Sequence, residues 1–473
     1  MTMVIATFAA CMLLFAAIGA ASTRQRQASS EDYLLAGRGV PAWLAALSAV
    51  ATNNSGYMFI GQIGLSYAIG LPSLWLAVGW IVGDAVIWWK IHRQIRVRSE
   101  QQDARSVPTF LGGPERQRAI IVLSAVLVLA FLGTYAAAQL QAGSKALTAI
   151  LGWDSWVGVV IGAVIVLGYS YAGGIRASIW TDAAQSFVMI FAMLSLLIWA
   201  LVRIGGWGAL MSTLHTEDPA LTYLFASDAP WGFGPWALGW LGGGIGVLGQ
   251  PTILARTMSL SRPDDVPRAG VIYFAWFVPF FAMTIVLGMA CRVLLPELAD
   301  PELAMPTLAQ ELLPNALVGL MLAGIFAATM STADSQVLSC SAAITQDLFP
   351  SLAANYTANK VATLGVTVIA LAIALFADSG VLVLVLYAWA GLAVTLGPVV
   401  VVRALGLPLS SSVGVAMMVV GLATMFTWRA LGLGEGMYEI LPGMLGAGLV
   451  YGLGYALRSP PAPSTLSTPG ESP

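Results

Sequence analysis

Runs of about 20 apolar residues, the length a helix needs to cross the hydrocarbon core of a bilayer, recur along this chain with short polar breaks between them. Thirteen can be delimited, at 3–20, 41–70, 71–90, 119–149, 154–173, 178–202, 236–255, 270–295, 315–346, 361–377, 380–402, 412–428 and 438–457. Backbone inside lipid must satisfy its own hydrogen bonds, so the pattern predicts an all-α integral membrane protein of about 13 spans. Composition removes the alternatives. A chain that is 58% hydrophobic and 9% charged is neither an ordinary soluble enzyme nor a disordered chain. With 21 Lys and Arg against 23 Asp and Glu, it has no basic excess for nucleic acid.

The first run opens without a Lys or Arg, and positive charges follow it at Arg24 and Arg26, so it reads as a retained span with its amino terminus outside rather than as a secretory signal. Alternating the loops then puts 17 of the 21 basic residues in the cytoplasm and leaves Lys145, Arg203, Arg292 and Arg429 outside. That bias orients a multi-pass protein of the cell membrane, and an odd number of spans puts the carboxyl terminus in the cytoplasm. Residues 459–473, SPPAPSTLSTPGESP, are too polar and Pro-rich to fold and read as a disordered tail. Cys11, Cys291 and Cys340 lie in apolar runs, while His92 and His215 fall in connecting segments. Without a GxSxG elbow or an HExxH helix, no enzyme is indicated.

Three polar features interrupt the apolar pattern. Ala51 to Tyr57, ATNNSGY, lies mid-span, and Asn, Ser and Gly there favour a broken helix whose freed carbonyls face a cavity; a polar patch joining two unbroken helices is the alternative. A second break is expected where Gly242, Gly243, Gly244, Gly246 and Gly249 precede Gln250-Pro251. The two breaks fall in the second and seventh spans, the spacing of two inverted five-helix repeats. In the third feature, Ala328, Ser331, Thr332 and Ser335 share one helix face. Their hydroxyls and nearby carbonyls can replace the water shell of a small hard cation, or simply bond back to their own helix. An ionisable residue inside a span costs about 2.5–3.5 kcal/mol on insertion scales, which singles out Asp84, Asp182 and Asp334. Asp334 adjoins the hydroxyl face. Asp182 reads equally as a helix amino-terminal cap, Asp84 as a structural partner of Lys90, and Lys145 as a side chain snorkelling outward.

Five motifs, in order, carry a resemblance over nearly the whole chain: DYLLAGR (Asp32 to Arg38), NSGYMFIGQIGLSYAIG (Asn54 to Gly70), WTDAAQ (Trp180 to Gln185), GQPTILAR (Gly249 to Arg256) and MSTADS (Met330 to Ser335). Together they resemble the sodium:solute symporter family, most of all its sodium/proline symporter branch. The resemblance implies a leucine-transporter-type core of ten helices, the second to eleventh spans, with its first and sixth helices broken. By the same resemblance, residues 1–458 form one transporter domain. It holds an extra helix at 3–20, repeats at about 41–202 and 236–402 with the first reaching to about 255, and two helices within 412–457. It implies a principal sodium ion held by backbone oxygens of Ala51, Asn54 and Ala328 with the hydroxyls of Ser331 and Thr332. In some members a second sodium is held, at positions matching Asp182, Ser331, Asp334 and Ser335. Solute contacts map onto Asn53, Ser55, Gly56, Tyr57, Tyr135, Gln139, Gly243, Val247 and Gln250. Proline-type members carry an acid where this chain has Asn53, and aromatics where it has Gly243 and Val247, so a wider, flatter pocket wall is expected. The implied activity is sodium-coupled symport of a small organic solute, proline or a related amino acid or organic acid, by alternating access. Its alternatives are proton coupling through Asp182 and Asp334, or a solute sensor built on a transporter fold.

Overall fold

In a computed structural model, residues 1–22, 29–225, 229–376 and 380–457 are described, except for the side chains of 169–173. Arg24, Arg26, Arg458 and the tail 459–473 lie outside the described residues. All regular structure among the described residues is helical, apart from one isolated bridge between Val40 and Leu260. Among the described residues nine helices are long and apolar enough to cross a bilayer, and two shorter apolar helices and two interrupted ones bring the series to thirteen. These are α1 (Thr2–Ser22), α2 (42–69, in three pieces), α3 (Leu71–Lys90), α4 (Arg118–Leu151), α5 (155–173), α6 (Gly174–Ile204), α7 (233–259, in two halves), α8 (Val266–Leu294), α9 (Asn315–Leu348), α10 (Tyr356–Phe376), α11 (Val381–Leu405), α12 (Ser411–Ala430) and α13 (Ile440–Ala456). The limits expected from hydropathy are met to within a few residues.

Burial separates the centre from the lipid-facing rim. In α9 and α11, 83% of the most apolar window is covered by protein, against 17% in α1 and 28% in α6 and α12. The ring helices expose large apolar side chains such as Phe187, Phe191 and Val202, which suits a hydrocarbon solvent. α9 is the hub, packed on α6, α4, α1 and α2.

The breaks follow from local chemistry. In α2 the helix Ala42–Tyr57 is interrupted at Ser55, whose φ of 38° and ψ of 177° put a non-glycine residue in strained backbone. Its own Oγ accepts from the Tyr57 N–H at 3.1 Å, and the Asn54 side chain donates to Val50 O at 2.7 Å, so polar side chains replace ladder bonds lost at the break. A π-helical turn, Met58–Gln62, and a last helix, Ile63–Ile69, complete the span. In α7, Phe233–Ile245 ends in a tight turn, Gly246–Gly249, and extended Gln250; Pro251 then opens Pro251–Ser259, where a missing N–H costs nothing. α5 and α6 form one helix bent at Gly174, whose φ of 58° and crowding against Tyr33 O tolerate no side chain. The broken spans are thus the first and sixth of the ten-helix core α2–α11.

Charged groups gather at the two ends. Arg38 donates to Met258 O and Ala104 O, Arg98 to Ala404 O and Arg403 to Leu111 O, all at one end. At the other, Lys145 bonds Asp300 at 2.8 Å and Glu302 at 2.7 Å, and Arg292 bonds Glu217. Lys145 therefore does not snorkel into open solvent: two carboxylates, one of them also accepting from Val381 N and Leu382 N, fix it.

Candidate functional site

Where α9 crosses the break in α2, hydroxyls of one helix meet carbonyls of the other. Ser331 Oγ donates toward Ala51 O at 3.2 Å and Ala328 O at 3.1 Å, while Thr332 Oγ1 lies 2.9 Å from Thr52 O and 3.0 Å from Ala328 O. Every member is buried. Four of the five positions expected to hold the principal ion are gathered here. The fifth, Asn54, has a carbonyl that accepts from Met58 N beyond the break, and its side-chain Oδ1 is buried without a partner. Thr52 was not singled out by the sequence, yet its carbonyl receives Thr332 and its hydroxyl donates to Ser331 O at 3.2 Å. Such oxygens are hard, neutral ligands suited to an alkali cation.

One side of this crossing is occupied by Arg256, from the second half of α7. Its Nη2 donates to Asp182 Oδ2 and Ser178 Oγ, each at 3.1 Å, and to Ser335 Oγ; its Nε donates to Ser48 Oγ at 3.1 Å and its Nη1 to Thr252 O at 3.0 Å. Ser48 in turn donates to Asp182 Oδ2 at 2.6 Å. Of the positions expected for a second ion, Asp182 and Ser335 therefore face a guanidinium, Ser331 turns to Ala51, and Asp334 Oδ1 accepts from Ser335 at 3.0 Å. Asp182 is no helix cap: it lies inside a continuous helix, wholly buried, and the bend at Gly174 has carried the true helix start eight residues upstream. A cleft lined by Arg105, Ser106, Leu35, Arg256 and Ser335 leads to this joint from the arginine-rich end.

On the other side of the break lie most of the solute candidates. Gly56 N donates to Gln139 Oε1 at 2.8 Å, Tyr135 reaches Ser55 Oγ at 3.4 Å and Tyr57 donates to Gln62 at 2.8 Å. Opposite them on α7, Gly243 O accepts from Trp389 Nε1 at 2.9 Å, Gln250 donates to Trp389 O at 3.3 Å and Val247 is buried. Gln139 keeps a buried amide nitrogen without a partner. The expected widening of the wall at Gly243 does not occur. Trp80 of α3 packs onto that glycine, so that an added Cβ would lie 2.7 Å from its ring, and Trp80 also meets Tyr57, Trp389 and Tyr438. The aromatic cover over Gly243 comes from Trp80 of α3 and Trp389 of α11. Asn53 stands apart from this group: its side-chain nitrogen donates to the Tyr273 hydroxyl on α8, which donates to Asp84 at 2.7 Å. Lys90 is not the partner of Asp84, since it sits exposed at the end of α3.

Comparison with known proteins agrees with this arrangement. The model of the sodium:solute symporter family matches residues 33–421. The sodium/proline symporter of Escherichia coli is 29% identical over 440 residues, covering 88% of this chain and 85% of that one. The high-affinity proline transporter PutP of Bacillus subtilis is 28% identical over 433 residues, covering 89% and 91%. Among solved structures, a substrate-bound, outward-open Na+-coupled sialic acid symporter aligns with a TM-score of 0.78 at 17% identity, over 94% of this chain and 98% of that one. Mhp1, a nucleobase-cation symporter in a closed conformation, aligns with a TM-score of 0.57 at 16% identity. These two likenesses establish the fold, a ten-helix core with broken first and sixth helices. With two interrupted spans in place and a family match across most of its length, this chain belongs to the sodium:solute symporter family, a transporter and not an enzyme.

Proposed function

We propose that the protein imports a small organic solute, proline or a related amino acid or organic acid, together with sodium. The observation that carries this reading is the convergence of Ser331 and Thr332 with the carbonyls of Ala51, Thr52 and Ala328 across the break in α2. A sodium ion entering here would turn the two hydroxyl hydrogens away and take Ala51, Asn54, Ala328, Ser331 and Thr332 as ligands, tying α9 to the broken helix. Solute would then sit beside the break against Ser55, Gly56, Tyr57, Tyr135, Gln139, Gly243, Val247 and Gln250, with Trp80 as a wall. Sodium couples to solute because it favours the state in which this wall is formed. Release toward the cytoplasm is favoured by about 2.3 kcal/mol per charge per 100 mV of membrane potential.

The same reading takes the arginine-rich end as cytoplasmic, with the amino terminus outside and the carboxyl terminus inside. The cleft that reaches Arg256 and Ser335 from Arg105 and Ser106 supports a release path on that side. Residues 1–458 act as one transporter domain, with α2–α6 and α7–α11 as its two repeats. Positions expected for a second ion beside Asp182 already hold the fixed charge of Arg256, which favours one mobile sodium at this crossing and leaves Asp182 ill-suited to ferry a proton.

Purified protein in liposomes tests the proposal with labelled proline under a sodium gradient alone and a proton gradient alone. Sodium should drive uptake, and Ser331→Ala with Thr332→Ala should remove the sodium stimulation. Full sodium dependence in the double variant overturns the site. A sodium-dependent thermal-shift screen over amino acids and organic acids identifies the solute.

A further inference from the structure

A further buried carboxylate is linked to α2 through a tyrosine hydroxyl, away from the contacts of Arg256. Asp84, on α3, is 1% exposed. Its Oδ2 accepts from the Tyr273 hydroxyl at 2.7 Å, and that hydroxyl accepts from the Asn53 side-chain nitrogen. Tyr273 is fully buried and Asn53 is 7% exposed. The set ends in two acceptor oxygens, Asp84 Oδ1 and Asn53 Oδ1, both buried and both without a hydrogen-bond partner. No basic side chain is paired with Asp84 among the described residues. Both donors of this set, the Tyr273 hydroxyl and the Asn53 amide, are already used within it, so the carboxylate and the two free acceptor oxygens still lack a positive charge.

The walls decide what size of cation fits. α3 and α7 touch backbone to backbone at this level: a Cβ on Gly83 would lie 2.6 Å from Ile245 N, and one on Gly244 would lie 2.2 Å from Trp80 O and 2.9 Å from Asp84 N. A solute-sized group has no room between these two helices, so a ligand of Asp84 on this side is limited to a bare ion. The facing segment of α7, 233–245, carries no ionisable side chain. α8 contributes Tyr273 and α2 contributes Asn53, while His92 lies two turns along from Asp84 with Trp88 between them.

We propose that Asp84, Asn53 and Tyr273 form a binding site for a small monovalent cation, a sodium ion or a proton, distinct from the Ser331–Thr332 crossing. The site deepens the transport reading and rests on it: Asn53 directly precedes the broken turn, so a cation here pulls on the residues that shape the solute site. It also returns to this cluster, from α3, a negative charge that Asn53 does not supply from α2.

The test counts cations on the full-length protein purified in detergent, with radioactive sodium binding at pH 7.5 and proton uptake between pH 9 and 5. Three proteins are compared: wild type, Asp84→Asn and the exchange Asp84→Asn with Asn53→Asp, which moves the carboxyl across the same hydroxyl. If the cation is sodium, wild type binds two ions, Asp84→Asn one and the exchange two. If it is a proton, all three bind one sodium, and wild type and the exchange each take up one proton more than Asp84→Asn. Equal counts of both ions in wild type and Asp84→Asn overturn the proposal. Absence of sodium binding in wild type would instead strike the transport reading itself. Restoration by the exchange separates a cation site from a fold that has merely been damaged.

Discussion

The two buried carboxylates that flank the broken helix solve one problem in opposite ways. Asp182 shares its oxygen with Arg256, Ser48 and Ser178, drawn from α2, α6 and α7, and its charge is balanced by a side chain that cannot leave. Among the described residues Asp84 has one phenolic hydroxyl and no fixed cation. Burial of a carboxylate carries the same penalty in both places. A tethered guanidinium makes a permanent joint among helices, while a carboxylate without a fixed counter-charge can be balanced by a diffusible cation. Charge balance, more than acidity, is what distinguishes a strut from a binding site in this membrane interior.

The largest effect expected from breaking this contrast is at the strut. Arg256→Gln leaves Asp182 buried with hydroxyl donors only, and stripping one partner from a buried ion pair costs about 3–5 kcal/mol. A lowered melting temperature and poor yield should follow, and Arg256→Gln combined with Asp182→Asn should recover most of the loss. Asp84→Asn, by contrast, removes an unbalanced charge and should melt at or above wild type. Thermal unfolding of the four proteins in one detergent checks this. Equal destabilisation by Arg256→Gln and Asp84→Asn would erase the distinction.

Next in size is the hydroxyl that links Asp84 to Asn53. Tyr273→Phe keeps the ring packed on Trp88 and Phe277 but removes the donor to Asp84 and the acceptor from Asn53, leaving both short of a partner at about 1–3 kcal/mol. Part of that loss should return when sodium is raised or pH is lowered, whichever cation the site takes. The corresponding change at the strut, Ser178→Ala, should be smaller than the loss of Arg256 and insensitive to both, because Arg256, Ser48 and Thr252 still hold the guanidinium and carboxylate together.

The sequence made some of this legible and concealed the rest for a geometric reason. Spans could be delimited from hydropathy, because lipid dictates their length. The hydroxyl face of α9 was legible because Ser331 and Thr332 are placed by helix periodicity alone, and the break at Ser55 because Asn, Ser and Gly cluster there. What one helix face meets on another is not encoded in spacing. Arg256 lies 74 residues from Asp182, and Tyr273 lies 189 from Asp84 and 220 from Asn53. No periodicity joins them. Likewise, the loss of an aromatic at Gly243 suggested an open wall, and only the packing of α3 reveals Trp80 in that place. A Lys six residues from Asp84 looked like its partner because it is near along the chain, yet it lies beyond a full helical turn and faces outward.

The smallest effect concerns acid. His92, just past the end of α3, stacks on Trp88 with ring centroids 4.4 Å apart and pairs through Nδ1 with Thr257 at 2.5 Å, and its Nε2 is buried without a partner. Burial disfavours its charged form and pushes its pKa down to about 3. The unfolded chain, with a histidine near 6.5, therefore takes up a proton before the folded one does. Stability from this residue is complete above pH 6.5 and is lost as pH falls from 6.5 toward 3, a loss of about 1 kcal/mol between pH 7 and pH 5.5. His92→Gln can keep a bond to Thr257 and should flatten the melting temperature over that interval. Since Trp88 touches both His92 and Tyr273, any acid effect that survives in His92→Gln and disappears in Asp84→Asn belongs to the carboxyl two turns away, and the two titrations are thereby told apart.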